Sequence, residues 1–135
     1  MKDLDVLSMQ ERSEAVILLN KYDELVKRDK CQKDFMAFIN HMWPDFVQGR
    51  HHKVIAEKFN KIAQGKLKRL IVCLPPRHTK SEFASTFFPA WYMGLKGNSK
   101  IIQTTHTAEL AVRFGRRVRN LIDSEKYKEI FPDLY

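Results

Sequence analysis

The first apolar pattern in the chain begins a few residues from its start and has the period of a helix. Ser8 and Glu11 have the S-x-x-E spacing of a capping box, in which each side chain satisfies a backbone N–H at a helix start. The apolar positions that follow share one face: Ala15, Leu18, Leu19, Tyr22, Leu25 and Val26. We predict a helix here, with a polar face that is solvated or forms a docking surface for another protein.

Two further helices are predicted before residue 67. Residues 33–42 carry apolar side chains at helical spacing and end before Pro44, which cannot continue a helix. Residues 50–63 repeat the pattern, and Gly65 stands where a helix C-terminus favours glycine. Residues 1–66 are therefore expected to form a helical N-terminal region.

The next pattern is short, apolar and rich in β-branched residues. Residues 70–74 predict a buried strand, and Pro75 and Pro76 prevent its continuation as a central strand. After a loop, apolar side chains return at helical spacing over residues 83–92, where Pro89 is expected to kink or shorten the helix. The sequence thus predicts a strand, a loop and a helix in that order.

A second unit of the same kind follows. The β-branched residues 100–105 predict another strand, and Thr107 is a suitable N-cap for the helix after it. The buried stripe of that helix is predicted to comprise Leu110, Ala111, Phe114, Val118, Leu121 and Ile122. Strands that alternate with crossover helices favour a parallel sheet. The expected fold class is α/β, with residues 67–135 forming the first β-α-β-α units of an incomplete P-loop NTPase sheet.

The loop between the first predicted strand and its helix has the chemistry of a phosphate-binding loop. Backbone N–H groups at a helix start, together with the helix dipole, favour a bound anion. Lys80 supplies an ammonium for the β and γ phosphates of a nucleotide, and Ser81 supplies a hydroxyl for Mg²⁺. The residues predicted to contact the nucleotide through this loop are His78, Thr79, Lys80, Ser81 and Glu82.

This loop departs from the usual GxxxxGK[ST] pattern, because Leu74 and Thr79 stand where the glycines would fall. A β-branched residue is disfavoured at positive φ, by about 1–2 kcal/mol. Thr79 is therefore expected either to keep a negative φ or to give the loop a different path.

Longer stretches of this region carry a family resemblance. PPRHTKSEFASTFFPAWYMG, preceded by GKLKRLIVCL and followed by KIIQTTHTAELAVRFGRRVRNLI, resembles the start of the ATPase domain in the large terminase subunit of tailed bacteriophages. That protein is the motor that pumps DNA into a preformed capsid. The resemblance covers residues 35–135 and implies ATP and Mg²⁺ as cofactors, with Ser81 as a metal ligand. It also implies an adenine contact by His51 or His52 and a γ-phosphate contact by Arg77.

The resemblance carries further expectations about the whole motor. Its partners would be double-stranded DNA, the portal and the small terminase subunit, its assembly a homo-oligomeric ring, and its location the host cytoplasm. An ATPase of this kind also needs an apolar strand that ends in a pair of carboxylates, and no such strand follows Lys80. The chain is therefore expected to be an N-terminal piece that binds ATP but does not hydrolyse it alone.

Charge supports a second interpretation. The formal net charge is +8 and the pI is about 9.6, which favours polyanionic partners. Arg113, Arg116 and Arg117 share one face of a predicted helix, where they would contact DNA phosphate, contact a neighbouring subunit, or only be solvated. The alternative function is a small basic nucleic-acid-binding or interaction protein with a vestigial P-loop.

Other classes of protein are disfavoured. Cys31 and Cys73 lie far apart in sequence, and Cys73 falls in a predicted buried strand, so neither a disulfide framework nor a zinc site is expected. His51 and His52 do not face one point on a helix, which argues against a metal site there. No apolar run approaches the roughly 20 residues that span a bilayer, so a protein that does not enter a membrane is expected.

Overall fold

The structure is a computed structural model, and it describes residues 8–134. Those residues form, in order, α1 (Met9–Lys33), α2 (Phe35–Met42), α3 (Arg50–Ala63), α4 (Lys80–Glu82), a π-helical segment (Phe83–Phe87), α5 (Phe88–Leu95), α6 (Ala108–Ile122), α7 (Glu125–Ile130) and a 3₁₀ turn (Pro132–Leu134). The three helical elements of residues 80–95 follow one another without a break. We call this run the loop helix.

The predicted helices are confirmed, and capping explains where they start. The capping box of Ser8 and Glu11 is present at the start of α1. The second helix begins at Phe35 rather than at residue 33, because the Asp34 carboxylate caps α2 by accepting from the Ala37 N–H at 3.1 Å. The start of α1 was therefore predicted correctly from residues close in sequence, whereas the Asp34 cap of α2 was not predicted.

The predicted parallel sheet is wrong. Residues 8–134 contain helices and no strand, so the α/β fold class and the β-α-β-α units of a P-loop NTPase sheet are not found there. Residues 70–74 still alternate in exposure: Leu70, Val72 and Leu74 pack on the core, whereas Ile71 is 89% exposed. Neither residues 70–74 nor residues 100–105 has a neighbouring segment that shares backbone hydrogen bonds with it among the described residues. β-branched composition favours an extended chain, but a strand also requires a paired neighbour.

The core is built around Phe35, whose side chain is fully buried at the start of α2. Its ring meets rings of α3 and of the loop helix, with centroid distances of 5.2 Å to Phe59, 5.7 Å to Phe83 and 5.3 Å to Trp91. The pairs with Phe59 and Phe83 are edge-to-face, and such pairs contribute about 0.5–1.5 kcal/mol each beyond area burial. Phe35 therefore joins α2, α3 and the loop helix.

A polar clamp fixes α2 against α3 beside this cluster. The Asn60 amide donates to Asp34 Oδ1 at 2.8 Å, and Asn60 Oδ1 accepts from the Phe35 N–H at 2.8 Å. One side chain of α3 thus satisfies both the cap residue and the first backbone donor of α2. The clamp sets the register in which Phe35 meets its aromatic neighbours.

The C-terminal segment packs on the core through its aromatic residues. Tyr127 of α7 is fully buried, and its hydroxyl donates to the Ala90 carbonyl at 2.7 Å. On the other side of the loop helix, the Trp91 indole N–H donates to the Cys31 carbonyl at 2.9 Å. Two buried aromatic donors therefore tie the loop helix to α1 and α7.

Pro89 neither breaks nor visibly shortens the loop helix. The π-helical segment Phe83–Phe87 precedes it, and π segments often occur where a helix accommodates a local disruption. Pro89 has no N–H to offer the Ser85 carbonyl, and the Gln103 amide donates to that oxygen at 3.2 Å instead. Gln103 thus links the second apolar segment to the loop helix.

The apolar stripe of α1 has no cover among the described residues. Leu18 is 66% exposed and Tyr22 is 65% exposed, whereas Cys31, near the end of the same helix, is buried in the core.

Cys73 is exposed, contrary to the prediction that it lies in a buried strand. Across residues 8–134, no helix combines the length and the apolar character that crossing a membrane requires.

We predict that Gly94→Ala destabilises the fold. A Cβ atom at position 94 would lie 2.6 Å from the ring of Phe131. Phe131 is only 4% exposed, so its ring cannot move aside freely. We expect the free energy of unfolding to fall by about 1–3 kcal/mol, as in other overpacked cores. Urea denaturation measures the change.

Gly115→Ala is the matched control, because a Cβ atom at that position of α6 would meet nothing within 4 Å. Alanine is favoured over glycine within a helix by about 1 kcal/mol, so this variant should be as stable as the parent or more stable. Equal stability of the Gly94→Ala and Gly115→Ala variants would contradict the packing of Phe131 on Gly94.

Candidate functional site

The candidate phosphate loop, which we define as residues 75–81, joins the first apolar segment to the loop helix. Residues 74–82 line an open concavity of about 500 Å³. Lys80 and Ser81 are both exposed, and the helix begins at Lys80, so these two side chains lie in its first turn. The loop therefore presents the predicted lysine and hydroxyl to solvent at a helix start.

Thr79 adopts the left-handed conformation that favours glycine. Its φ is 55° and its ψ is 11°, and Arg77 also has a positive φ of 64°. For a β-branched residue this conformation costs about 1–2 kcal/mol. Neither of the two expectations for Thr79 holds: its φ is positive, and its backbone takes the conformation of a glycine rather than a different one. The backbone before Lys80 thus follows the turn that a glycine would make there.

A chain of hydrogen bonds from α3 holds Thr79. The Gly49 N–H donates to Nδ1 of His52 at 2.8 Å, so in the neutral ring the proton is on Nε2. Nε2 lies 2.7 Å from the Thr79 hydroxyl oxygen, and that hydroxyl donates to the His78 carbonyl at 2.7 Å. Each group in the chain therefore has one consistent role as donor or acceptor.

The surroundings of His52 favour its neutral form. The side chain is only 6% exposed and lies between the rings of Phe46, at 4.7 Å, and Phe83, at 5.2 Å. Burial lowers the pKa of His52, and the neighbouring imidazoles of His51 and His78 lower that pKa further. A neutral ring is what the acceptor role of Nδ1 requires.

His51 and His78 lie next to this network. The rings of His51 and His52 are 3.8 Å apart, those of His51 and His78 are 5.5 Å apart, and Nε2 of His51 is buried without a hydrogen-bond partner. Among the described residues no three metal-binding side chains are grouped as a metal site would require. The adenine contact of His51 or His52 stays a prediction, as does the γ-phosphate contact of the exposed Arg77.

Glu82 and Arg117 form an ion pair that joins the loop helix to α6. Both side chains are about one-third exposed, and the pair therefore contributes modestly to stability. Arg117 consequently has a different environment from Arg113 and Arg116, which are exposed on the same helix. The DNA contact of these arginines and the nucleotide contact of Glu82 stay predictions.

Sequence reasoning missed the partners that hold the loop in place. Gly49 and Phe46 contact His52, yet neither was predicted as part of the site, and the bond between His52 and the hydroxyl of Thr79 was not predicted either. One signal was available: His52 stands three residues after Gly49, the spacing at which a helical side chain bonds back to the cap N–H. The bond to Thr79 had no such signal, because the two residues are 27 positions apart.

We predict that the stability contributed by His52 depends on pH. Its pKa in the folded chain lies below the usual 6.5, so the unfolded chain binds a proton more readily. The contribution is fully present above pH 6.5 and is lost as the pH falls from there through the folded-state pKa. The stability difference between the parent and His52→Gln should therefore shrink below pH 6.5 in urea denaturation.

His106→Gln is the control for loss of one imidazole, because His106 is exposed and distant in sequence from the loop. Its stability difference from the parent should not follow the same course. A pH-independent difference for His52→Gln would contradict the neutral, buried state of this ring.

Comparison with known proteins found no relative of this chain. No protein-family model matches it. A search of curated proteins also gave no match. No solved structure matches it either. Function must therefore be inferred from the candidate phosphate loop and its surroundings.

Proposed function

We propose that this chain is an ATP-binding segment of a viral DNA-packaging motor of the large-terminase type. One observation carries the proposal: Thr79 takes the left-handed turn of a glycine directly before Lys80 and Ser81 at a helix start. A strained conformation at a β-branched residue persists only where its surroundings maintain it, and such conformations concentrate at functional sites. The sequence resemblance gives the nucleotide and the motor; the loop geometry supports the phosphate contact.

Each group of the candidate phosphate loop has a chemical role in this proposal. Backbone N–H groups of residues 78–82 would donate to phosphate oxygens, and the ammonium of Lys80 would offset their charge. The hydroxyl of Ser81 would bind Mg²⁺, which neutralises part of the triphosphate charge when bound. The open concavity of about 500 Å³ leaves the loop accessible to such a ligand.

The proposal concerns binding, and no described residue is assigned to hydrolysis. Glu82, the carboxylate nearest to Lys80 in sequence, is paired with Arg117 rather than unpaired beside the loop. Double-stranded DNA, the portal and the small terminase subunit belong to the proposed whole motor. The net charge of +8 is compatible with a DNA partner.

We predict that Lys80→Ala weakens nucleotide binding. Loss of a charged hydrogen-bond donor costs about 1.5–3 kcal/mol, which corresponds to a loss of affinity of about tenfold or more. Titration calorimetry of a non-hydrolysable ATP analogue with Mg²⁺ measures this affinity. Lys68→Ala removes the same charge from an exposed position outside the loop and should bind like the parent.

Ser81→Ala adds a test of the metal role. This variant should lose affinity for the analogue when Mg²⁺ is present and bind like the parent when Mg²⁺ is absent. Equal affinity of the parent and the Lys80→Ala variant would exclude the candidate phosphate loop as a nucleotide site.

A second function, nucleic-acid binding by α6, is favoured by the exposure of Arg113 and Arg116. Each phosphate contact changes the slope of log affinity against log salt by about 0.9 on duplex DNA. The double change Arg113→Ala and Arg116→Ala should therefore flatten that slope by about two units in fluorescence anisotropy with duplex DNA. Arg117→Ala is the matched control, because its guanidinium is paired with Glu82. An unchanged slope in the double variant would leave these arginines as a solvated face.

A further inference from the structure

We propose that His52 is a positioning residue for the candidate phosphate loop, holding Thr79 in its left-handed conformation through a direct hydrogen bond from α3. This inference rests on the proposed function for its consequence, which is nucleotide affinity. It assigns His52 a role different from an adenine contact, because both ring nitrogens already have partners within the chain.

The hydrogen bonds of the His52 ring have one consistent direction. A backbone N–H can only donate, so the bond from Gly49 makes Nδ1 of His52 an acceptor and leaves the proton on Nε2. Nε2 then donates to Thr79 Oγ1, whose own proton is used in the bond to the His78 carbonyl. The His52 ring is therefore held at Nδ1 by the Gly49 N–H, and its Nε2 in turn holds the Thr79 hydroxyl.

The hydroxyl of Thr79 explains why a threonine is workable at this position. Glycine would reach a φ of 55° without strain but has no side chain with which to be held. Threonine is strained there, by about 1–2 kcal/mol, but its hydroxyl makes two hydrogen bonds of about 1 kcal/mol each. The two bonds are thus of the size needed to offset the strain, which makes Thr79 a workable replacement for glycine only while His52 is present.

The ring of His52 packs against aromatic side chains. His52 is enclosed by Phe46 and Phe83, and Phe83 belongs to the loop helix and is itself 1% exposed. The ring of His52 is thus shielded from water, so breaking its bond to the half-buried Thr79 leaves the buried Nε2 without a partner. Gly49 adds to the enclosure, since a Cβ atom there would lie 3.3 Å from Nδ1 of His52.

The hydrogen-bond chain also depends on the charge state of His52. The titratable groups that face His52 are His51, from its own helix, and His78, from the loop. Protonation of His52 would place a second N–H opposite that of Gly49 at 2.8 Å, where an acceptor is required. Acid would therefore break the bond between the Gly49 N–H and the His52 ring.

The first experiment uses the parent chain without nucleotide. Nitrogen NMR of the imidazoles should show His52 with Nε2 protonated and Nδ1 unprotonated. Amide hydrogen exchange at Phe83, whose N–H donates to the Thr79 carbonyl at 3.0 Å, should be slower in the parent than in two variants that each remove the bond: His52→Leu, and Thr79→Val, which keeps the β-branched shape. We expect this amide to exchange about tenfold faster in each variant, whereas His52→Gln, which keeps an N–H donor, should remain close to the parent.

Thr79→Val guards against a folding defect, because it changes the loop and leaves the aromatic packing of position 52 intact. Faster exchange in His52→Leu but not in Thr79→Val would mean general loosening of the core and would overturn the inference. Protonation of His52 at Nδ1 in the parent would overturn it as well.

The second experiment measures affinity for the non-hydrolysable ATP analogue with Mg²⁺. His52→Leu and Thr79→Val should each weaken binding by about five- to tenfold, and the double variant should bind no more weakly than Thr79→Val, because that change already removes the bond to His52 together with the bond to the His78 carbonyl. His52→Gln should restore most of the affinity. Additive losses, or no rescue by glutamine, would overturn the positioning role.

The two proposals fail in different ways. If the parent binds no nucleotide while the NMR and exchange results are as expected, the proposed function is wrong and His52 still positions the loop. If Lys80→Ala abolishes binding while the His52 variants bind like the parent, the proposed function stands and this inference is wrong.

Discussion

The fold depends on the burial of Phe35 among the aromatic rings of α3 and the loop helix. Phe35 has no exposed surface and contacts the rings of five other residues: Phe38, Phe59, Phe83, Phe88 and Trp91. Removing such a ring from a core costs about 3–5 kcal/mol, a large share of the stability of a small domain. The loop helix, and with it Lys80, is placed by this contact. The candidate site is therefore mounted on the most buried part of the molecule.

The site itself combines that rigid support with an exposed, strained loop. Phe83 serves both parts, since its ring packs on Phe35 and also on His52. His52, which belongs to α3, hydrogen-bonds in turn to the hydroxyl of Thr79. Backbone strain at Thr79 is thus offset by contacts from an element that the sequence places well before the loop. This arrangement gives a physical account of how a threonine occupies a position where glycine is usual.

The error in fold class has a definite physical source. The apolar residues 70–74 and the β-branched residues 100–105 have the composition of strands, and composition was the basis of the prediction. A strand is defined by backbone bonds to a neighbour, and the described residues provide no neighbour for either segment. The same reasoning applies to α1, whose apolar stripe was predicted correctly as a pattern but remains exposed at Leu18 and Tyr22. Local pattern reports what a segment is suited to bury, not whether another segment covers it.

Sequence pattern alone was enough to predict α1, α2, α3, the loop helix and α6, together with the caps at Ser8 and Thr107, whereas α7 and the Asp34 cap of α2 were not predicted. These features depend on residues within a few positions of one another, such as Ser8 with Glu11, and on periodicity along one element. The tertiary structure alone decided the pairing of Glu82 with Arg117 and of His52 with Thr79, whose members lie 35 and 27 positions apart. Side chains so distant in sequence meet only because the aromatic core brings their helices together, and no local pattern encodes that approach.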